Sequence, residues 1–294
     1  MRRFALILTL LLILTSCGRQ PASDSGKPAP VILASTTILA DIARNIAGER
    51  VQVESLLPIG ADPHSYQPTP QDAAKIEQSK LLIVNGAGYE RFFENLLENA
   101  SGERILIEAS AGLGFENEAD VDPHFWLDPN YVIVYVENIR EGLTHFDPDG
   151  AAIYQSNADA YVAKLKELNL RIEGQVAQIP SQRKLLVTNH ESLGHFAKRY
   201  GFTIAGALIE SFSTDASPSA GQMARLIDRI KASRAPAIFL DASDNTTLAQ
   251  QIADEANVVV VTDLHLESLT AGAPAATYLD MMEYNVTQIV NALK

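Results

Sequence analysis

Two short stretches of the chain carry the same tripeptide, Asp-Pro-His. His64 lies in "ADPHSYQPTP" and His124 lies in "VDPHFWLDPN", although the chain has only six histidines. Proline restricts the backbone before a ligand binds, so less conformational entropy is lost on binding. The shared setting raises the hypothesis that both imidazoles serve one site.

Two further segments carry residues of the same chemistry. His190 follows "KLLVT" within "TNHESLGHF", and "TDLHLESL" offers Asp263, His265 and Glu267. Neutral imidazole and carboxylate groups suit Zn²⁺, and they also bind manganese or iron. Three histidines and one carboxylate close a four-coordinate shell, which stores or carries a metal. A catalytic zinc site normally keeps one position open for water.

Short apolar runs alternate with helical spacing along the chain, and these elements must position the candidate ligands. The runs are "VILAS", "VQVESLL", "LLIVN" and "RILIE" in the first half and "KLLVT", "FTIAGALI", "AIFLD" and "VVVVT" in the second. The alternation predicts βαβ units and parallel sheets with helices on both faces. His64, His124 and His190 all follow strands, and ligands of such sheets bind at the carboxyl ends of the strands. The sequence therefore predicts that the three histidines share one edge.

One long helical segment separates the two halves. Apolar residues between Tyr154 and Ile179 recur every three or four positions. Asp147 and Pro148 are the expected N-cap and first turn, and Pro180 is the expected stop. About 30 residues at roughly 1.5 Å each make a helix of about 45 Å. Such a helix predicts a stiff connector between two α/β lobes.

The composition excludes several classes of function. The chain has 294 residues, enough for two domains, and its 47% hydrophobic content fits a globular protein. A net charge of −13 argues against a nucleic-acid partner. The sequence has no dinucleotide-binding, Walker A, zinc-protease or serine-hydrolase motif. "GAGYE" after a strand is only a weak indication of phosphate binding, and Trp126 is interpreted as a packing residue.

The N-terminus has the features of a bacterial lipoprotein signal. Arg2 and Arg3 precede an apolar run from Phe4 to Leu14 that is too short to span a bilayer stably. Leu-Thr-Ser then precedes Cys17, so we expect cleavage before this residue and lipid attachment to it. Because Cys17 is the only cysteine, a disulfide within the chain and a cysteine-based metal site are excluded.

The other histidines have ordinary interpretations. His195 falls on a different helix face from His190 and is expected to pack. His145 lies near a helix end, where the helix dipole favours a cation, and we give it no ligand role. His265 and Asp263 stay open as ligands because both lie close to Glu267 in the sequence.

Four blocks of the sequence resemble the metal-binding receptors of bacterial zinc and manganese ABC importers, the cluster 9 (A-1) solute-binding proteins. The blocks are "ADPHSYQPTPQD", "DPHFWLDP", "TNHESLGHFAKRYGF" and "LESLTAGAPAATYLDMMEYNVTQI". Their order and spacing match the family from about Val31 to Lys294. The resemblance implies two small α/β lobes joined by one long helix, with the metal between the lobes. This expectation agrees with the pattern of strands and helices.

Carried over residue by residue, the resemblance implies metal ligands at His64, His124, His190 and Glu267. The family usually has Asp at the last of these positions, so Glu267 is a departure. Its side chain is one methylene longer and could bind in a different mode or shift the preferred metal. Asp241, at the end of "AIFLD", corresponds to an acidic position near the family's site, and it is expected either to support the ligands or to replace one.

The expected organisation has five parts. Residues 1–16 are the lipoprotein signal peptide and residues 17–30 a flexible tether. Residues 31–146 form the N-terminal lobe, residues 147–180 the linking helix and residues 181–294 the C-terminal lobe. The acidic loop before the second Asp-Pro-His lacks the histidine-rich insertion of many zinc receptors, so no auxiliary capture of metal is expected there.

The resulting hypothesis is an extracytoplasmic receptor, anchored through Cys17 in a periplasm or on the outer membrane face. As a monomer, it would capture a divalent transition metal and deliver it to an ABC permease. Zn²⁺ is favoured because the third ligand is His190, with Mn²⁺ or Fe²⁺ as alternatives. We expect neither an enzyme nor a nucleic-acid partner. Two rivals stay open: a metal-dependent hydrolase with Asp241 or Glu191 as general base, and an adhesin with a structural metal.

Overall fold

The computed structural model describes most of the chain, namely residues 31–101, 103–114 and 121–294. The predicted signal peptide (1–16), the lipidation site Cys17 and the tether (17–30) lie outside the described residues. Most of the acidic loop before His124 also lies outside them. The predictions for these segments therefore stay predictions.

Four parallel strands form the sheet of the first lobe. They are β1 (Val31–Ala34), β2 (Gln52–Ser55), β3 (Leu81–Val84) and β4 (Ile105–Glu108). Their order across the sheet is β2-β1-β3-β4. All four residues of the central strand β3 are buried, as expected when helices cover both faces of a sheet.

A second parallel sheet of four strands forms the other lobe. Its strands are β5 (Leu185–Thr188), β6 (Thr203–Ala207), β7 (Ala237–Asp241) and β8 (Val259–Leu264). The order β6-β5-β7-β8 repeats the topology of the first sheet. In both sheets the strand order reverses beside the first strand, and open parallel sheets bind ligands at the carboxyl end of such a reversal.

Helices connect the strands and cover the sheets. They are α1 (Thr37–Ala47), α2 (Pro70–Gln78), α3 (Glu94–Asn99), α4 (Pro129–Phe146), α5 (Ala151–Val176), α6 (Gly194–Tyr200), α7 (Ala220–Ser233), α8 (Thr246–Ala256) and α9 (Tyr278–Leu293). Local sequence explains several starts; for example, Thr69 and Asp72 form a capping box at α2. No helix in these described ranges is both long and apolar enough to cross a membrane.

The linking helix is shorter than the sequence predicts. α5 has 26 residues and is about 39 Å long at 1.5 Å per residue, and a 3-10 turn at Pro148–Gly150 precedes it. Asp147 occupies the N-cap position of this turn and Pro148 its first position, as predicted, but the side chain of Asp147 makes no capping hydrogen bond. The carboxylate instead accepts hydrogen bonds from Arg50 and Tyr154.

One continuous hydrophobic core runs through both lobes. Buried side chains of β1, α1 and α4 belong to the same cluster as those of α6 and α9. The inner face of α5 adds Tyr154, Tyr161 and Leu168 to this cluster, so the long helix is a spine between the lobes rather than a surface helix. The prediction of two helix-flanked parallel sheets joined by one long helix is confirmed.

Candidate metal centre

Loops at the carboxyl ends of four strands meet between the two lobes. His64 follows β2, His124 follows β4, His190 follows β5 and Glu267 follows β8. Each offers one ligand atom, and these four atoms all lie within 4.8 Å of one another. The structure therefore brings together the four residues that the sequence singles out, two from each lobe.

Three of the four ligand atoms form a nearly equilateral triangle. Nε2 of His124 lies 3.3 Å from Nε2 of His190, and Oε1 of Glu267 lies 3.4 Å and 3.3 Å from these two nitrogens. Zinc bonds of about 2.0–2.1 Å place two donors of a tetrahedron about 3.3–3.4 Å apart. The triangle therefore has the dimensions of one face of a tetrahedral zinc shell.

The remaining vertex belongs to His64. Nε2 of His64 is buried, and so is Oε1 of Glu267. Neither atom has a hydrogen-bond partner in the described part of the chain. Buried acceptors without a partner are rare in folded proteins and call for an explanation. A bound cation supplies one, because it would satisfy both atoms together.

The two Asp-Pro-His tripeptides adopt the same turn. Oδ1 of Asp62 accepts a hydrogen bond from the backbone N–H of His64 at 2.9 Å, and Oδ1 of Asp122 accepts one from that of His124 at 3.0 Å. Such turns are typical of Asp, whose short side chain reaches the backbone two residues on. The repeated tripeptide is thus a repeated way of presenting an imidazole at a strand end.

Asp122 has a second contact with His124. Its Oδ1 lies 2.8 Å from Nδ1 of the ring, so this nitrogen carries a proton and donates it to the carboxylate. Histidines that bind metals commonly donate their other N–H to a carboxylate, which fixes the tautomer and the ring orientation. The lone pair of Nε2 therefore points at the centre of the site.

The backbone beneath Glu267 is held from both lobes. Oδ2 of Asp241, at the end of β7, accepts hydrogen bonds from the backbone N–H groups of Leu266 and Glu267. On the other side, Nε1 of Trp126 donates to the carbonyl of Leu266 at 2.8 Å. Asp241 lies outside the group of four ligand atoms, so its position fits support of the ligand loop and does not fit a substitute ligand.

Tyr89 is a site residue that the sequence reasoning missed. Its hydroxyl donates to Oε2 of Glu267 at 2.8 Å across the lobe boundary, and its ring packs edge-on against His64 and Trp126. The signal was the "GAGYE" stretch after β3, which was interpreted only as a weak phosphate motif. Gly86 and Gly88 have positive φ angles there, and the resulting turn directs the tyrosine into the site.

Glu90 stabilises that turn from behind. One carboxylate oxygen accepts hydrogen bonds from the backbone N–H of Asn85 and the hydroxyl of Ser35, and the other accepts one from the N–H of Gly86. Complete burial raises the pKa of Glu90 to about 7, although these donors oppose the shift. The turn that carries Tyr89 is therefore tied to the ends of β1 and β3.

His195, His265 and Asp263 have other partners and do not belong to the group of four candidate ligand atoms. His195 bonds to the backbone carbonyl of Asp122 and stacks on Phe125, as its interpretation as a packing residue predicts. The His265 ring packs against Tyr284, and the carboxylate of Asp263 accepts a hydrogen bond from the hydroxyl of the same tyrosine. Neither His265 nor Asp263 belongs to the group of ligand atoms.

Burial and neighbouring charges shift the pKa values of the site residues in different directions. Burial lowers the pKa of His64 to about 4, which leaves its ring neutral at physiological pH. Burial also opposes charge on His124, but the Glu267 charge and the hydrogen bond with Asp122 outweigh it and raise its pKa to about 9. Despite burial, the neighbouring imidazoles hold the pKa of Glu267 well below its usual value. When no metal is bound, these shifts favour a proton on His124 and an ionised Glu267.

A cavity of about 720 Å³ adjoins the site on one side. His64 lies on its wall together with Tyr89 and Glu191, whereas His124, His190 and Glu267 are buried behind them. At the same edge, the hydroxyl of Thr214 in the C-terminal lobe donates to Oδ2 of Asp62 at 2.8 Å. Solvent therefore approaches the ligand atoms past His64.

Sequence comparison identifies relatives over nearly the whole chain. Residues 32–292 match the family of the periplasmic zinc-uptake complex component A, ZnuA. The manganese-binding lipoprotein MntA of Halalkalibacterium halodurans is 34% identical over 293 residues, covering 98% of this chain and 96% of the relative. The manganese ABC transporter substrate-binding lipoprotein PsaA of Streptococcus pneumoniae is 28% identical over 302 residues, covering 98% and 97%.

Solved structures share the fold. The Mn-bound periplasmic metal-binding protein of Candidatus Liberibacter asiaticus is 30% identical with a TM-score of 0.79, covering 90% of this chain and 100% of that one. The periplasmic zinc-binding protein TroA of Treponema pallidum is 26% identical with a TM-score of 0.84, covering 90% and 99%.

Proposed function

Because the chain belongs to the ZnuA family and is thus a metal-binding, substrate-binding protein of an ABC transporter, we propose that its cargo is Zn²⁺. We further propose that it captures the ion outside the cytoplasm through His64, His124, His190 and Glu267 and passes it to a membrane permease. Members of the family are solute-binding proteins of importers and not enzymes.

The triangle of ligand atoms carries the proposal for zinc. Its edges of 3.3, 3.3 and 3.4 Å match a tetrahedron of zinc bonds, and imidazole nitrogen is a better donor for zinc than for manganese. Mn²⁺ is the second candidate, because several relatives are named for manganese. Fe²⁺ is a weaker third candidate that rests on ligand chemistry alone.

The proposed anchor is a lipid on Cys17. The relatives are named as lipoproteins, and a basic start, an apolar run and Leu-Thr-Ser before the cysteine support the same arrangement here. The tether of residues 17–30 would leave the lobes free to reach a permease in the same membrane. Metabolic labelling with a fatty acid should mark the wild-type protein and not a Cys17→Ala variant.

Of the two bases that a hydrolase could use, Asp241 is poorly placed for that role. Both oxygens of Asp241 already accept hydrogen bonds, from Ser243 on one side and from Leu266 and Glu267 on the other. A carboxylate that is occupied in this way is poorly placed to take a proton from a metal-bound water. The donor set of four also leaves no open zinc position for water.

Competitive titration against a calibrated chelator tests the proposal. We expect one Zn²⁺ per soluble chain starting near Ser23. We expect His190→Ala and Glu267→Ala each to weaken zinc binding by more than about 100-fold, which exceeds the effect of losing a residue that only hydrogen-bonds to a ligand. His265→Ala and Asp263→Ala are matched controls from outside the site and should bind normally. Absence of tight binding by the wild-type chain would refute the receptor assignment.

Metal removal separates a receptor from an adhesin with a structural metal. The shared core does not depend on the ligands, so the metal-free chain should fold and show a cooperative thermal transition. Added zinc should stabilise it by mass action, by about 2.7 kcal/mol when free zinc is 100 times the Kd. A chain that unfolds when zinc is chelated would favour the structural metal.

A further inference from the structure

The two carboxylate oxygens of Glu267 face different partners. Oε1 makes the close approaches to Nε2 of His124 and Nε2 of His190, and among the residues that the structure describes it has no hydrogen-bond partner. Oε2 accepts the hydroxyl proton of Tyr89 at 2.8 Å. One oxygen is thus presented to a metal while the other is already engaged by the protein.

Tyr89 has little freedom to release that oxygen. Its side chain is only 4% exposed, and its ring packs against Trp126 with centroids 4.9 Å apart. The turn before it is tied down by the carboxylate of Glu90, which accepts the N–H groups of Asn85 and Gly86. A phenol buried in this way and deprived of its acceptor would lose its only described hydrogen bond.

Glu267 has equally little freedom to rotate. Its backbone N–H and that of Leu266 donate to Asp241 of the C-terminal lobe, and the carbonyl of Leu266 accepts from Trp126 of the N-terminal lobe. For both oxygens to contact one ion, the carboxylate must turn until that ion lies between them. Such a turn breaks the contact with Tyr89 and moves Oε1 out of the triangle with the two imidazoles.

We propose that Tyr89 sets metal specificity by keeping Glu267 a one-oxygen ligand. Three imidazole nitrogens and one oxygen make four donors, the number that zinc prefers. A carboxylate that binds through both oxygens would supply a fifth donor and more oxygen, and manganese favours oxygen-rich shells of higher coordination number. This inference rests on the proposed function, since it concerns how the same site selects its ion.

Glu267 links the candidate metal site to Tyr89. The Glu267 side chain reaches both the two imidazoles, through Oε1, and the phenol, through Oε2. Hydrogen-bonded partners of metal ligands orient those ligands and tune the ion, and their loss commonly changes metal affinity by about 10- to 100-fold. Tyr89 is therefore a positioning residue whose effect should differ between two ions.

The variant Tyr89→Phe tests this, because it removes only the hydroxyl and keeps the ring that packs against Trp126. Tyr161→Phe is the matched control: Tyr161 lies on α5, is 2% exposed, and has a buried hydroxyl without a hydrogen-bond partner in the described chain. Both variants and the wild-type protein are titrated with Zn²⁺ and Mn²⁺ against chelators. Thermal unfolding of the metal-free proteins checks that they are folded.

A second measurement reads the coordination number directly. Co²⁺ bound to each protein gives a visible absorption spectrum that is intense for four donors and weak for five or six. We expect a four-coordinate spectrum for the wild type and Tyr161→Phe, and a weaker spectrum of higher coordination for Tyr89→Phe. We also expect the ratio of manganese to zinc affinity to rise about tenfold in Tyr89→Phe alone.

Three results would overturn the inference while leaving the receptor function intact. They are a five-coordinate spectrum of the wild type, an unchanged spectrum in Tyr89→Phe, and an equal loss of affinity for both ions in that variant. The last result would mean that the hydroxyl only supports the fold of the loop. If the wild-type protein bound neither ion, the inference and the proposed function would both fail.

Discussion

At the scale of single residues, a proton and a metal compete for one imidazole. His124 is buried between the carboxylates of Asp122 and Glu267, and their contacts raise its pKa to about 9. In the proposed site Nε2 of His124 is a ligand atom, so a metal must displace the proton from it. His64 imposes no such cost at neutral pH, because burial lowers its pKa to about 4.

This competition predicts the pH dependence of zinc affinity. A raised pKa means that the proton is present below about 9 and is released on binding, so affinity should fall as the pH falls from about 9 to 6. One displaced proton corresponds to about a tenfold loss per pH unit. From unperturbed histidines, the sequence alone predicts this loss nearer pH 6.5. Titrations with a pH-corrected chelator at several pH values would measure the slope.

Proton release during calorimetric titration is a second check on this prediction. Buffers with different heats of ionisation should report close to one proton released per zinc at neutral pH. An affinity that stays constant over the whole range would contradict the displacement of a proton from His124.

Asp241 provides a second test at the residue scale. In Asp241→Asn one acceptor oxygen becomes an N–H₂ donor, which would face either Ser243 or the backbone N–H groups of Leu266 and Glu267. Either orientation sets the new donor against a backbone N–H and removes the negative charge, while all four proposed ligands remain, so we expect zinc affinity to fall about 10- to 100-fold. Asp263→Asn, from outside the site, is the control in the same titration. Normal affinity in Asp241→Asn would show that the loop holds its position without this carboxylate.

At the scale of elements, the loop after β2 carries the candidate ligand that lines the cavity. It carries His64 and also Asp62, whose Oδ2 accepts hydrogen bonds from Thr214 across the lobes and from Ser65. The other three proposed ligands, His124, His190 and Glu267, are at most 4% exposed. A metal that leaves the site towards this cavity must therefore pass His64, and the contact between Asp62 and Thr214 holds this loop against the other lobe.

Loss of that contact should speed metal release. Thr214→Val removes the hydroxyl at nearly constant shape, and one hydrogen bond of about 1 kcal/mol corresponds to an increase in the dissociation rate of about fivefold. Stopped-flow release of Zn²⁺ into excess chelator would measure it. Thr203→Val, at the exposed start of β6, is the control. Equal release rates in both variants would show that the contact does not restrain the loop.

At the scale of the whole molecule, the lobes are joined by the long helix α5 and by a shared hydrophobic core. α5 packs against α1 and α4 of the first lobe and against α9 at the end of the chain, and one hydrophobic core includes all four helices. Hinge bending of the lobes would have to open this core to water, at about 25 cal/mol for each Å² of apolar surface. The architecture therefore favours local loop motion over a large closure.

Small-angle scattering tests that expectation. The profiles of the metal-free and zinc-bound proteins should agree closely, with any change confined to the loops around the site. Hydrogen exchange should slow on zinc binding in the loop that carries His64 and not in α5. A clear decrease in the radius of gyration on adding zinc would contradict the stiff spine.

The sequence by itself determined the strands, the long helix and the edge on which the candidate ligands lie. These features follow from local periodicity and from the rule that parallel sheets bind ligands at the carboxyl ends of their strands. His64, His124 and His190 could be placed on that edge without coordinates, and the resemblance to known receptors added Glu267. The boundaries of the lobes, the tether and the lipid on Cys17 stay predictions.

Only the tertiary structure decided which hydrogen-bond partner each polar side chain has. Asp147 has the local sequence of a helix cap, but Arg50 and Tyr154 come close in the fold and bind its carboxylate instead. Tyr89 and Glu267 are 178 positions apart, so no local pattern could pair them. The periodicity of apolar residues in strands and helices reflects contacts between residues that are close in the sequence. The site is assembled from loops that are distant in the sequence, and only the packing of the two sheets brings them together.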